Sequence, residues 1–136
     1  MTPEKLVRNF ARCVDWEQRY LYLIELGENL PSLDVAKRTK EYELQGCQSQ
    51  VWLQQVLIHD GGVFRLFAHS DAAIVKGLIA LTIIAYDGRT PVQIVEFDIK
   101  GWFEELELHQ HITPTRSQGL SAIVAQIINT AKQAIQ

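Results

Sequence analysis

The sequence predicts an α+β fold in which helices cover a small antiparallel β-sheet, and three observations carry that prediction. A run rich in strand formers, Gln50 to Ile58, is followed by Asp60-Gly61-Gly62 and a second such run from Val63 to Ala68. That is the pattern of a β-hairpin whose turn needs positive-φ residues. On either side of it, apolar residues recur at helical spacing, and stripes of that kind are buried against a sheet or against one another. The chain has 136 residues, 47% of them apolar, enough for one compact domain to bury most of its apolar surface without staples. A single domain over residues 1–136 is expected.

Thr2-Pro3 opens the first helix as cap and first helical residue. Leu6, Phe10 and Cys13 then recur at offsets of four and three, which puts Cys13 on an apolar helix face. A second helix starts at Asp15 with Gln18 placed as in a capping box. It carries Trp16, Tyr20, Leu23, Ile24 and Gly27 at helical spacing and ends at Leu30-Pro31. Residues 32–46 are polar, hold the basic group Lys37, Arg38 and Lys40, and show no period, so they read as an exposed connection into the hairpin. Beyond the hairpin, Ser70 caps a helix through Ile84 that is apolar nearly all round and therefore central, and Asp87-Gly88 closes it. Thr90-Pro91 opens a short helix through Phe97, and Trp102, Phe103 and Leu106 mark another after Gly101. From about Thr115 a terminal helix carries Leu120, Ile123, Val124, Ile127, Ile128, Ala131 and Ile135 on one stripe.

Charged residues make up 21% of the chain with both signs mixed, and the net charge is -3. This argues against a protein built to neutralise nucleic-acid phosphates and favours proteins or small molecules as partners. Two cysteines, Cys13 and Cys47, are too few for the disulfide framework of a small secreted scaffold. The opening residues lack the basic segment and continuous apolar stretch of a signal peptide. The longest apolar stretch, Gly77 to Tyr86, is about half the ~20 residues that span a bilayer. A cytoplasmic protein with no membrane partner is expected.

Cys47 stands out by its setting, Leu44-Gln45-Gly46-Cys47-Gln48-Ser49-Gln50-Val51-Trp52, where a polar loop enters the first strand. Gly46 widens the backbone conformations available beside it. A cysteine filling space under the sheet remains the alternative. Cysteine hydrolysis would need a base, yet His59, His69, His109 and His111 are scattered with no motif joining any of them to Cys47. A zinc site would need paired ligand spacings that are absent, so no metal is expected. Sulfur relay asks only for a nucleophilic thiolate, because an incoming persulfide is already electrophilic at its outer sulfur and its inner thiolate leaves readily.

Three blocks then become recognisable in order: Gly46-Cys47-Gln48-Ser49-Gln50-Val51-Trp52, Ser70-Asp71-Ala72-Ala73-Ile74-Val75-Lys76-Gly77-Leu78, and Thr113-Pro114-Thr115-Arg116-Ser117-Gln118-Gly119-Leu120. Together with Trp16, Tyr20 and Gly27 they closely resemble the SufE family over nearly the whole chain. The resemblance implies an α+β fold similar to the IscU scaffold. It implies acceptance of persulfide sulfur on Cys47 from the cysteine desulfurase SufS, stimulation of that enzyme, and delivery to the SufBCD scaffold for iron-sulfur cluster assembly. The pyridoxal phosphate in such a system belongs to the desulfurase, so this chain is expected to carry no cofactor. A homodimer is a further expectation, since an apolar surface around the cysteine would serve self-association as well as docking. An adaptor that activates a desulfurase without Cys47, or a metal- or cluster-binding scaffold of the IscU kind, are the rival readings.

Two auxiliary residues accompany Cys47. Arg116, near the start of the last helix, could stabilise a thiolate or dock a partner carboxylate, or could be an ordinary surface arginine. Asp71 is expected in the first turn of the central helix, where the helix dipole favours a carboxylate whatever the function. Lys76 is expected to snorkel to solvent. The Cys47 side chain is expected to tuck against apolar residues such as Trp52 until a partner draws it out.

Overall fold

The computed structural model describes residues 1–45, 49–59 and 62–136. In chain order it contains α1 (Pro3–Ala11), α2 (Trp16–Glu28), a 3-10 turn (Val35–Lys37), β1 (Val51–Ile58), β2 (Val63–Ser70), α3 (Ala73–Tyr86), α4 (Pro91–Glu96), α5 (Ile99–Glu105), a second 3-10 turn (Leu108–Gln110) and α6 (Pro114–Ile135). This is the expected α+β class, helices over one antiparallel hairpin.

Polar side chains set the helix starts by accepting N–H groups that have no partner inside the helix. Thr2 accepts from the Lys5 N–H at 3.1 Å, and Asp15 accepts from the Gln18 N–H at 3.0 Å. Gln18 reaches back to the Val14 N–H at 2.8 Å, one residue short of the expected capping-box bond. The reciprocal box forms instead on α4, between Thr90 and Gln93. Cys13 lies past the end of α1, because Arg12 already caps that helix; it is half-buried, with its N–H on the Phe10 carbonyl.

β1 and β2 pair from Val51↔Ser70 to Ile58↔Val63. Period-two alternation sends Val51, Leu53, Phe64, Leu66 and Ala68 into the core and leaves Trp52, Gln54, Phe67 and His69 on the outer face. Gly62 adopts φ +63°, the positive value the turn requires, while Asp60 and Gly61 lie outside the described residues. The connection over 32–45 is more ordered than its composition predicts. Ala68 of β2 donates to the Pro31 carbonyl (3.0 Å) and accepts from the Leu33 N–H (3.2 Å), and Leu33 is 1% exposed. On the other edge, the Leu44 N–H bonds the Val51 carbonyl (2.8 Å) and the Leu53 N–H bonds the Tyr42 carbonyl (2.9 Å). The start of β1 and the end of β2 are thereby paired on their outer edges as well. Further along the outer edge of β2, the Asp87 carboxylate accepts from the Leu66 N–H (2.8 Å) and pairs with Arg65 (3.2 Å).

α3 is central, as its all-round apolar sequence predicts: every residue from Gly77 to Ile83 is buried. Thr82 is tolerated there because its hydroxyl donates to the Ile79 carbonyl at 2.7 Å. Its core extends to Leu6 and Phe10 of α1, Leu23 of α2, and Leu120, Ile123 and Ile127 of α6. Ile135, placed on the same stripe by sequence, is half-exposed because the last turn of α6 runs past the core. α2 and α3 cross at Gly27 and Gly77, where a Cβ on Gly27 would sit 2.6 Å from the Gly77 nitrogen. No helix among the described residues is long and apolar enough to cross a membrane.

The Tyr86 hydroxyl is buried with no hydrogen-bond partner among the described residues, and burial pushes it up to about 12 from its usual 10. Tyr86→Phe is expected to hold or raise the free energy of unfolding in urea, by up to about 1 kcal/mol, since an unsatisfied buried hydroxyl is costly. The parent should also lose stability as pH rises between about 10 and about 12, where the unfolded tyrosine ionises and the folded one keeps its proton. That alkaline slope should be shallower in the Phe variant.

Candidate functional site

Gly46, Cys47 and Gln48 lie outside the described residues, so the site is built from what flanks them. The Leu44–Val51 hydrogen bond fixes the two arms that lead into this segment, Gln45 on one side and Ser49-Gln50 on the other. Ser49 is half-buried and faces a cleft of about 90 Å³. Val51 of β1, Val75 and Leu78 of α3, and Leu120 and Ile123 of α6 supply its apolar walls, and Thr115 and Arg116 line it from the start of α6.

Arg116 reaches this cleft because the start of α6 is firmly placed. Thr113 caps the helix by accepting from the Arg116 N–H at 3.2 Å, and Pro114 occupies the first position, where its missing N–H costs nothing. The segment before it is tied to α2. His111 stacks on Trp16 with ring centroids 4.0 Å apart, its carbonyl accepts from the Tyr20 hydroxyl, and Glu107, held at φ 58°, pairs with Arg19 at 3.7 Å. Among the described residues the exposed Arg116 guanidinium makes no ion pair, which leaves its charge available at the cleft.

Asp71 does not line the cleft. It is exposed and precedes the cap residue Ala72, so it stands just outside α3 and not in the first turn, where sequence predicts it. The capping role assigned to Ser70 also changes. Ser70 ends β2, and although its hydroxyl accepts the Ala72 N–H (3.3 Å), it donates to the Gln50 carbonyl (2.7 Å). Nothing in the local sequence distinguishes this serine from a simple cap, because the bond to Gln50 exists only once the hairpin has formed. The cleft walls Val75 and Leu78 likewise read as plain core residues by sequence.

Trp52 stacks on His69 on the outer sheet face, with centroids 5.9 Å apart, away from the cleft. Whether Cys47 tucks against it falls outside the described residues. Burial pushes His69 below its usual 6.5, reinforced by the charges of Arg38 and the half-buried Lys76 and opposed by Asp71. The neutral ring is thus favoured in the folded state. Its contribution to stability is full above about pH 6.5 and is lost as pH falls through the lower folded value, because the unfolded state takes up the proton first. Urea midpoints measured on the acid side should fall less steeply in His69→Gln than in the parent. Among the described residues, no three His, Cys, Asp or Glu side chains gather as a metal site.

Comparison with known proteins agrees with this architecture. The family model described as "SufE: Fe-S metabolism associated domain" matches residues 4–131. Among solved structures, the chain is similar to a hypothetical protein from Thermus thermophilus known from a solution structure, with a TM-score of 0.78 and 21% identity over 99% of this chain and 98% of that one. At that identity the likeness speaks for the fold.

Proposed function

This chain belongs to the SufE family of Fe-S metabolism associated domains, and from that premise we propose that it carries sulfur as a persulfide on Cys47. The source is the persulfide of a cysteine desulfurase, SufS, and the destination is the SufBCD scaffold. The Cys47 thiolate attacks the outer sulfur of the desulfurase persulfide, a new S–S bond forms, the old one breaks, and the desulfurase cysteine leaves as its thiolate. A second acceptor thiolate repeats the exchange to release the sulfur. No net oxidation or reduction occurs in either step. Stimulation of the desulfurase follows, because removing its persulfide frees it for another turnover.

The observation that supports this reading best is the cleft beside Ser49. Cys47 is two residues from Ser49 in sequence, and a two-residue tether spans at most about 7 Å. The cleft's apolar wall of Val75, Leu78, Leu120 and Ile123 would shield a sulfur atom that entered it from water and soluble thiols, and Arg116 brings a cation to the same cleft. Asp71, exposed at the approach to α3, is suited to meeting a partner rather than the cleft. We place the protein in the cytoplasm, with homodimerisation as a further property of the free protein. Incubation with free cysteine and the desulfurase, followed by intact mass measurement, tests the reading. One or more added sulfur atoms, lost on reduction, are expected; an unchanged mass would refute it.

A further inference from the structure

We propose that Ser70 is a positioning residue for sulfur acceptance, a hydroxyl latch that ties the start of β1 to the N-terminus of α3. The inference rests on the reading of Cys47 as the sulfur carrier. Ser70 is 0% exposed and stands on the inner, otherwise apolar face of β2. It pairs with Val51, the last rung of the ladder, so Gln50 lies one residue beyond it. The Ser70 hydroxyl supplies a bond there, donating to the Gln50 carbonyl at 2.7 Å. It also accepts the N–H of Ala72, the residue that opens α3, at 3.3 Å, while no side chain caps the helix from Ala72 itself. The Asp71 carboxylate lies 3.5 Å from the same oxygen, too far for a normal bond, and the single hydroxyl proton is already committed to Gln50.

One buried oxygen therefore joins three pieces of chain: the entry to β1 from Cys47 and Ser49, the end of β2, and the entry to α3 beside Asp71. A serine needed only to cap α3 would satisfy the Ala72 N–H without reaching across to Gln50. The bond to Gln50 fixes the direction in which the chain enters the sheet at the mouth of the cleft. Thiol exchange between two proteins demands alignment of three sulfur atoms, and small misplacements of reacting groups are costly.

The test uses the full chain in a Cys13→Ser background, so that Cys47 is the one reactive thiol. Ser70→Ala is expected to remain folded by circular dichroism yet to accept sulfur from saturating SufS-type desulfurase about tenfold more slowly, with half-saturation unchanged. Alkylation of Cys47 by iodoacetamide, which needs no alignment, should be no slower. Ser70→Thr, which keeps the hydroxyl, should accept sulfur within about twofold of the parent rate. If Ser70→Ala needs sucrose to fold, all proteins are compared in sucrose. Acceptance by Ser70→Ala at the parent rate overturns the proposal. So does an equal loss in Ser70→Thr, which would make volume rather than the hydroxyl responsible. A parent that takes up no sulfur overturns the carrier reading, and this inference with it.

Discussion

Cys47→Ser is expected to gain no sulfur from a SufS-type desulfurase and to lose its stimulation of sulfide release, both by about two orders of magnitude or more. A serine hydroxyl stays protonated at neutral pH and cannot exchange with a disulfide-like bond, whereas a thiolate does so readily. Cys13→Ser provides the contrast. Cys13 is half-buried beyond the end of α1, with its Sγ 3.7 Å from the Asn9 carbonyl, so its replacement should leave acceptance at the parent rate. Two outcomes would redirect the assignment. Full stimulation by Cys47→Ser would make the protein an adaptor that works by binding. A stoichiometric metal or cluster absorbance in the purified protein would instead favour a scaffold of the IscU kind.

Gly77→Ala is expected to lower stability by about 3 kcal/mol, a large share of the roughly 5–15 kcal/mol that holds a typical domain folded. The new Cβ would meet the Leu23 carbonyl carbon at 2.7 Å, and its oxygen more closely still. Those are backbone atoms of α2, with no flexible side chain to yield, so the two helices must move apart and open the core around Leu23 and Ile79. Alanine's better helix propensity returns only about 1 kcal/mol. Gly27→Ala makes the reciprocal clash, 2.8 Å from the Lys76 carbonyl carbon. The double variant should therefore cost less than the sum of the two, since one separation relieves both. Urea midpoints of the three proteins measure this, and a Gly77→Ala midpoint equal to the parent's would show that the crossing is looser than its geometry implies.

Sequence reading succeeded where a physical period or a cap governs a segment. The hairpin follows from two runs of strand formers around a glycine turn, α3 from an apolar stretch with no polar face, α1 and α4 from Thr-Pro starts, and α6 from its apolar stripe. It failed where structure depends on a single long-range bond. Leu33 and Leu44 pair with the hairpin through one or two hydrogen bonds each, which leave no periodic trace in a polar segment. Gly27 looked like one more member of a helical stripe, although a glycine inside a helix costs about 1 kcal/mol and so calls for a packing reason. At the site, the three blocks were enough to select Cys47, Arg116 and Asp71 as candidates. They did not reveal that Arg116 shares a cleft with Ser49 while Asp71 stands outside it, nor that Ser70 reaches Gln50. Those relations arise from how α3 and α6 converge on β1, which no local window contains.

The pairing of both outer edges at one end of the hairpin bears on how this protein can meet others. An open strand edge is a template on which a foreign strand can be added, and many recognition domains, as well as many aggregates, grow by that route. Here residues 31–33 and 42–44 already occupy the main-chain groups that such an added strand would need along this part of the hairpin. At this end of the hairpin, any partner would have to be met by side chains rather than by an added strand, so substitutions at exposed positions there can alter the choice of partner without disturbing the sheet.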